Sequence, residues 1–248
     1  MIQKLSKSVK KFWASLALLS IEMIIVLGLF VIALILFVYV SRGIFFLNNT
    51  TFDQRAFSWA QGFVSDRNNG IIQFFTDLGN HKILIPANLI LIAYFLFLKK
   101  HRWYSISIPA IALTSLGLMT LLKHIFNRAR PDTPLLFEAK GLSFPSGHAL
   151  MSITFYGLLI YIVYKSLKNK FLKWVLISLL ILLILIIGFT RIYLNVHYAS
   201  DVIAGYCIGF LWLVFAVWLL NRMEKYSRNK LNKIVEQQPI VEEKQQEI

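Results

Sequence analysis

The sequence predicts an all-α polytopic membrane protein built as a bundle of six transmembrane helices, and three observations lead there. Of its 248 residues 57% are hydrophobic and only 15% charged, too apolar for an ordinary soluble domain. The apolar residues fall into six charge-free runs, each with charged residues or His at or next to its ends. The cations gather in short clusters between those runs. A formal charge of +14 would suit nucleic acid if it formed a continuous patch; distributed as it is, it reads as juxtamembrane charge, and no nucleic-acid partner is expected.

Taken in order, Lys4, Lys7, Lys10 and Lys11 precede the first run, residues 23–40, which is 18 residues long. A signal peptide would have a shorter apolar core followed by a small-residue cleavage site. Neither is present, so this run is expected to be a retained span. The others are residues 83–98, 103–122, 149–164, 174–190 and 202–220. Because a span needs roughly 20 residues, the two 16-residue runs, 83–98 and 149–164, must extend into flanking residues whose polar heads snorkel. Pro86 falls in the first turn of its run, where it is tolerated, whereas Pro109 lies deeper, where a kink is expected.

Residues 41–81 are too many for a simple turn. Ala56, Phe57, Ala60, Phe63 and Val64 recur at helical spacing, as do Ile71, Ile72, Phe75 and Leu78. They predict two short amphipathic helices at the interface, either roofing a site or only packing on the bundle. The membrane domain is assigned to residues 1–223 and a polar cytoplasmic tail to 224–248. Within the tail, 236–248 is rich in Glu and Gln without an aromatic residue and reads as disordered. Cys207 is the only cysteine. It excludes an intrachain disulfide and a cysteine metal cluster, and is expected to pack as a small apolar residue.

Orientation follows from counting Lys and Arg. Six spans put both termini on one side, where sixteen flank the spans; nine lie on the other. By the positive-inside rule both termini are cytoplasmic.

Three stretches then fall together on the extracytoplasmic side. Residues 190–201 carry Arg191, His197 and Asp201 at the rim of an apolar run, where such groups are expensive beside lipid. If the chain is helical from His197, then His197 and Asp201 share one face; the carboxylate can hold one ring nitrogen and leave the other free to attack. Lys123 to Pro131 ends an earlier run, and Pro145-Ser146-Gly147-His148 opens the next. In order they read K-x6-R-P, P-S-G-H and (S/T)-R-x5-H-x3-D.

This pattern resembles the type 2 phosphatidic acid phosphatase (PAP2) superfamily, the metal-independent acid phosphatases and lipid phosphate phosphatases. The motifs cover about a third of the chain, residues 123–201, and Thr190 stands where the family usually has Ser. The resemblance implies a PAP2-type core with His197 as the nucleophile that forms a phosphohistidine and Asp201 as the group that holds it. It makes His148 the acid that protonates the leaving oxygen and then the base that activates water. Lys123, Arg130, Ser146, Gly147 and Arg191 become the phosphate-binding set. It implies a lipid phosphate substrate, no cofactor and no metal, and a multi-pass protein of the bacterial cytoplasmic membrane with its site on the outer face.

Residue chemistry agrees with these roles. A phosphate monoester carries up to two negative charges, and its transition state spreads them over equatorial oxygens that fixed cations and N–H donors at a helix start can hold. Other readings stay open at this stage. His197 and Asp201 suit a structural pair, the three cations suit interfacial anchors, and Ser146-Gly147 suits a helix cap. His81, His101 and His124 lie outside the pattern, and His124 and Arg128 are read as bystanders. At the level of function, a lipid-linked phosphotransferase would share the intermediate, and a catalytically silent transport or scaffold protein would share only the fold.

Overall fold

The computed structural model of the protein describes residues 21–100, 102–137 and 139–246. The N-terminal lysines 4, 7, 10 and 11 and His101 lie outside them. The chain folds into α1 (Ile21–Phe45), α2 (Thr51–Gln61), α3 (Asp66–Leu78), α4 (His81–Ala93, prolonged by a π-helical turn Tyr94–Leu98), α5 (Arg102–Phe126), α6 (Gly147–Ser166), α7 (Lys170–Tyr193) and α8 (Ala199–Gln246). Among the described residues six helices are long and apolar enough to cross a membrane: Ile21–Phe45, His81–Leu98, Trp103–Phe126, Gly147–Ser166, Lys170–Tyr193 and Ala199–Asn229. Each contains one of the six charge-free runs and exceeds it by including flanking polar residues, such as Glu22 and Arg42 in α1.

α2 and α3 are the two short helices expected between the first spans. Ser65 caps α3 by accepting from the Asn68 N–H at 3.3 Å, and Asn80 caps α4 by accepting from the Lys82 N–H at 3.2 Å. α5 continues through Pro109 as one helix. One expectation is corrected: residues 236–246 are not disordered, because α8 runs on as a helix to Gln246. Glu, Gln and Lys are good helix formers, and Arg228 supports the extension by pairing with Glu224, one turn earlier, at 2.6 Å.

α6, α7 and α8 pack against one another, α1 lies on α8, and α5 sits between α4 and α6. The starts of α6 and α8 and the ends of α1, α5 and α7 meet at one end of the bundle, where α2 and α3 rest on α7 and α8. Between lipid-facing helices apolar burial gives little drive, so close backbone approach matters more. At Gly205 a Cβ would stand 2.7 Å from the Ser146 carbonyl oxygen. Glycine there lets α8 press against the start of α6. On the other side of that start Phe144, fully buried, is enclosed by Phe37 and Phe45 of α1 and Phe126 of α5, with ring centroids 6.3, 5.2 and 4.8 Å away.

Candidate active site

Two asparagines in the left-handed conformation shape the site. α5 ends at Asn127, with φ 44° and its N–H on the Lys123 carbonyl. α7 ends at Asn195, with φ 54°, and its side chain donates to the Thr133 carbonyl at 2.6 Å. Asparagine tolerates this backbone region where most residues do not. Past Asn195 the N–H groups of Val196 and His197 both return to the Arg191 carbonyl, at 3.2 and 3.3 Å. That double return sets His197 beside the last turn of the helix that carries Arg191.

His197 therefore lies outside any helix, and the expected i, i+4 helical pairing with Asp201 is corrected. α8 begins only at Ala199. Asp201 instead turns back to accept the Tyr198 N–H at 3.0 Å, as a third-position acidic residue does in a capping box. Its Oδ2 stands 3.6 Å from His197 Nδ1, too far for a good hydrogen bond. Ser143 fills the gap: its Oγ donates to Asp201 Oδ2 and lies 3.3 Å from His197 Nδ1. On the opposite edge of the ring, Arg130 Nη1 lies 3.1 Å from Nε2. A guanidinium only donates, so Nε2 accepts and the ring proton resides on Nδ1, facing Ser143. Burial, with His197 only 2% exposed, lowers its pKa to about 3 against the opposing pull of the Asp201 carboxylate, and the Arg130 charge adds to the lowering. The imidazole is neutral at pH 7.

The other candidate residues converge on the same place. Arg130, whose own pKa is lowered by burial, donates through Nε to the Gly141 carbonyl at 3.0 Å and through Nη1 to the Val196 carbonyl at 2.8 Å. Lys123 Nζ donates to the Leu142 carbonyl at 2.5 Å, within electrostatic reach of Arg130, Arg191 and Asp201. Arg191, 3% exposed, is held through Nη1 by Thr76 Oγ1 of α3 at 2.6 Å, while its buried Nε has no partner. Ser146 is tied by its N–H to the Asp201 carbonyl at 2.9 Å, and its buried Oγ also has no partner. His148 occupies the first turn of α6, after Gly147, within electrostatic reach of Arg191, His197 and Arg130. Gly79, between α3 and α4, backs it: a Cβ there would lie 3.2 Å from His148 Cδ2. The Thr190 hydroxyl is turned back onto the Ile187 carbonyl at 2.6 Å. A polar cleft of about 230 Å³ opens beside Arg130, bordered also by Asp132, Lys140 and Val196.

Arg128, read from the sequence as a bystander, is tied to the site by its contacts. Its Nη1 donates to Asp201 Oδ1 at 2.6 Å and its Nη2 to Asp53 Oδ2 of α2 at 2.9 Å. His124, by contrast, points its ring at the Thr120 carbonyl in an exposed position. Ser143, Asp53 and Thr76 were also missed. Ser143 had one signal, its position three residues before Ser146. Asp53 and Thr76 reach the site only through tertiary packing.

A neutral, oriented imidazole amid three cations and two unpartnered buried donors has the chemistry to hold a phosphoryl group. The PAP2 superfamily model matches residues 103–225. Phosphatidylglycerophosphatase B of Bacillus subtilis strain 168 is 30% identical over 166 residues, 65% of this chain and 79% of that protein. This chain belongs to the PAP2 superfamily. It is therefore a member of the PAP2-type lipid phosphate and pyrophosphate phosphatases, which are phosphoric monoester hydrolases. A second PAP2 relative, an undecaprenyl-diphosphatase of Sulfolobus acidocaldarius, is 28% identical over 153 residues, 59% of this chain and 68% of that protein. The crystal structure of a transmembrane PAP2-type phosphatidylglycerolphosphate phosphatase from Bacillus subtilis superposes with a TM-score of 0.71, covering 78% of this chain and 96% of that one at 24% identity. Aquifex aeolicus LpxE gives a TM-score of 0.53 at 29% identity, covering 66% and 93%. The six-span bundle is thus the PAP2 transmembrane fold.

Proposed function

We propose that this protein hydrolyses the phosphate or pyrophosphate of a membrane lipid, of the phosphatidylglycerol phosphate, phosphatidic acid or polyprenyl pyrophosphate type, through a phosphohistidine on His197. The observation that carries the reading is the set of groups gathered at His197: Arg130 Nη1 at 3.1 Å from Nε2, Arg191 within electrostatic reach of the ring, Lys123 within reach of both arginines, and two buried donors, Arg191 Nε and Ser146 Oγ, that have no partner. Two opposite unit charges about 4 Å apart attract by roughly 4 kcal/mol at an effective dielectric of about 20. A phosphate seated here would satisfy both orphaned donors and meet all three cations.

On entry a phosphate oxygen takes over the guanidinium proton that Arg130 directs at Nε2, which frees the lone pair. Nε2 attacks phosphorus as the bond to the leaving oxygen breaks, and His148 supplies the proton to that oxygen. The imidazole gains positive character, balanced by Asp201 through Ser143. His148, now neutral, takes a proton from water as the water oxygen attacks phosphorus and the P–N bond breaks, returning neutral His197 and phosphate. The cations carry the charge that a metal would otherwise take, so no step requires one.

The site is assigned to the extracytoplasmic face. Support comes from the even number of spans, which puts the motif end opposite both termini, and from the sixteen-to-nine distribution of Lys and Arg. A lipid substrate is supported by the position of His148 and Arg191 in the end turns of spanning helices, and by the names of the two PAP2 relatives. The test is release of phosphate by the purified protein in detergent and EDTA from a panel of lipid phosphates and pyrophosphates. Release that is absent from every substrate, or that survives in a His197→Ala variant, would overturn the proposal.

A further inference from the structure

The motifs leave unexplained a buried array on their far side. Asp53, 2% exposed, accepts from the Ser200 N–H at 2.9 Å, from Ser200 Oγ at 2.7 Å and from Arg128 Nη2 at 2.9 Å. Arg128 spans from there to Asp201 Oδ1, touches Ser200 Oγ at 2.8 Å, and stacks its guanidinium 4.0 Å over the Tyr198 ring. Asp53 lies on α2, outside residues 103–225 matched by the family model.

A carboxylate with two free oxygens can rotate. Asp201 cannot, because Arg128 occupies Oδ1 while Ser143 and the Tyr198 N–H share Oδ2. Only the Oδ2 side is left toward His197. Charge supports the same division. One arginine between two aspartates leaves the trio one net negative charge, which is what a positive imidazole needs; an unopposed pair of carboxylates would carry two. Asp53 in turn fixes the arginine fork and completes the N-terminus of α8, where an anion is favoured by the helix dipole and the first N–H groups lack partners. Without Asp53, Nη2 of Arg128 loses its anchor and the guanidinium keeps only Asp201, Ser200 Oγ and the Tyr198 ring, so the fork is fixed from one end.

We propose that Arg128 and Asp53 are positioning residues for phosphoryl transfer, fixing Asp201 and through it His197, so that the short helix α2 is a working part of the site. The proposal rests on the reading of His197 as nucleophile. Neither residue touches the phosphate-binding set, so their loss acts on turnover and spares binding.

The experiment compares Asp53→Asn, Arg128→Gln and Arg128→Lys with the parent enzyme in detergent, measuring kcat, KM and vanadate inhibition, with thermal unfolding to establish that each variant is folded. Residues that orient a reacting group typically contribute about 10- to 100-fold. Arg128→Gln is expected to lower kcat about 100-fold and Asp53→Asn about 10-fold, both leaving KM and vanadate inhibition within about threefold. Arg128→Lys, whose ammonium reaches one carboxylate but cannot fork to two, is expected to fall between. A kcat within twofold of the parent in the folded variants refutes the proposal, as does a loss of vanadate binding that tracks the loss of kcat. If Arg128→Gln does not fold, Asp53→Asn and Arg128→Lys decide by the same criteria. A His197→Ala control separates the two readings: turnover retained in it sinks the nucleophile assignment itself, whatever Arg128 does.

Discussion

Arg130 Nη1 lies 3.1 Å from Nε2 of His197, so the atom assigned to attack phosphorus is held by the guanidinium assigned to bind it. The two roles are compatible because Arg130 keeps its bonds to the Gly141 and Val196 carbonyls and has only this one contact to exchange for a phosphate oxygen. Arg130→Ala should weaken vanadate inhibition about 10- to 100-fold, the worth of one charge-assisted hydrogen bond of about 1.5–3 kcal/mol. Unchanged inhibition would mean that the guanidinium serves only to position His197.

The pH dependence follows from the burial of His197. A base whose pKa is lowered to about 3 stays unprotonated as pH falls, and activity is lost only as the pH approaches that value. The sign is opposite to that of an imidazole made more basic by its carboxylate, which would lose activity already below neutrality. After allowance for the second ionisation of the substrate phosphate, about pH 6, and for the acid form of His148 that the first step uses, protonation of His197 should add no acid limb to kcat/KM between pH 7 and pH 5. A further acid limb between those values would count against a neutral buried nucleophile.

Ser143 stands between His197 Nδ1 and Asp201 Oδ2 and is fully buried. Ser143→Ala should lower kcat about 10- to 100-fold with little change in KM, the range expected for a group that orients a catalytic side chain. Asp201→Asn should cost more, on the order of 10⁴ by analogy with the serine-protease triad. Steady-state kinetics on both variants checks the order; a larger loss for Ser143→Ala would reverse the assigned hierarchy.

His148 should separate the two half-reactions. With a substrate whose leaving group needs no proton, His148→Ala should still form the phosphoryl-enzyme and fail to hydrolyse it. Rapid quenching with ³²P-labelled substrate should show the label accumulating on His197. No accumulation, with turnover lost, would show that His148 is needed before the P–N bond forms.

Topology is open to chemical labelling. Leu136 is exposed on the loop between α5 and α6. Leu136→Cys in a Cys207→Ser background should react with a membrane-impermeant maleimide in intact cells. Reaction only after lysis would invert the assignment of faces.

The fold was largely legible because hydropathy reports spans directly: charge ends a run, and each of the six runs lies inside a helix. The tail was misread because its Glu, Gln and Lys residues suit a disordered segment and an exposed helix equally well by composition. Within the site, His197, Arg191, His148 and the motif cations could be named because their pattern resembles the PAP2 motifs, whose short spacings along the chain correspond to local turns. Arg128 lies outside the motif positions and reads as a bystander, whereas its fork faces two carboxylates. Asp53 is 75 residues from Arg128, and no local pattern connects them. The His197–Asp201 relationship was anticipated with the wrong geometry: the four-residue spacing arises from a capping interaction, with Ser143 inserted, and not from successive turns of a helix.

The interval between Arg191 and His197 has a mechanical origin. Leaving α7 through one left-handed residue and coming back to the last accessible carbonyl takes a fixed length of chain, and the N–H of His197 closes that circuit on the residue that begins it. The spacing is the circumference of a hydrogen-bonded ring. The N–H of Val196 already reaches the same carbonyl, so a residue inserted or deleted here would still allow a return to Arg191 but would put a different position where His197 stands. In either case Arg191 would stay on its helix while the imidazole swung away from it. Sequence searches that allow a gap in this interval will therefore admit chains whose residues match and whose backbone cannot bring them together.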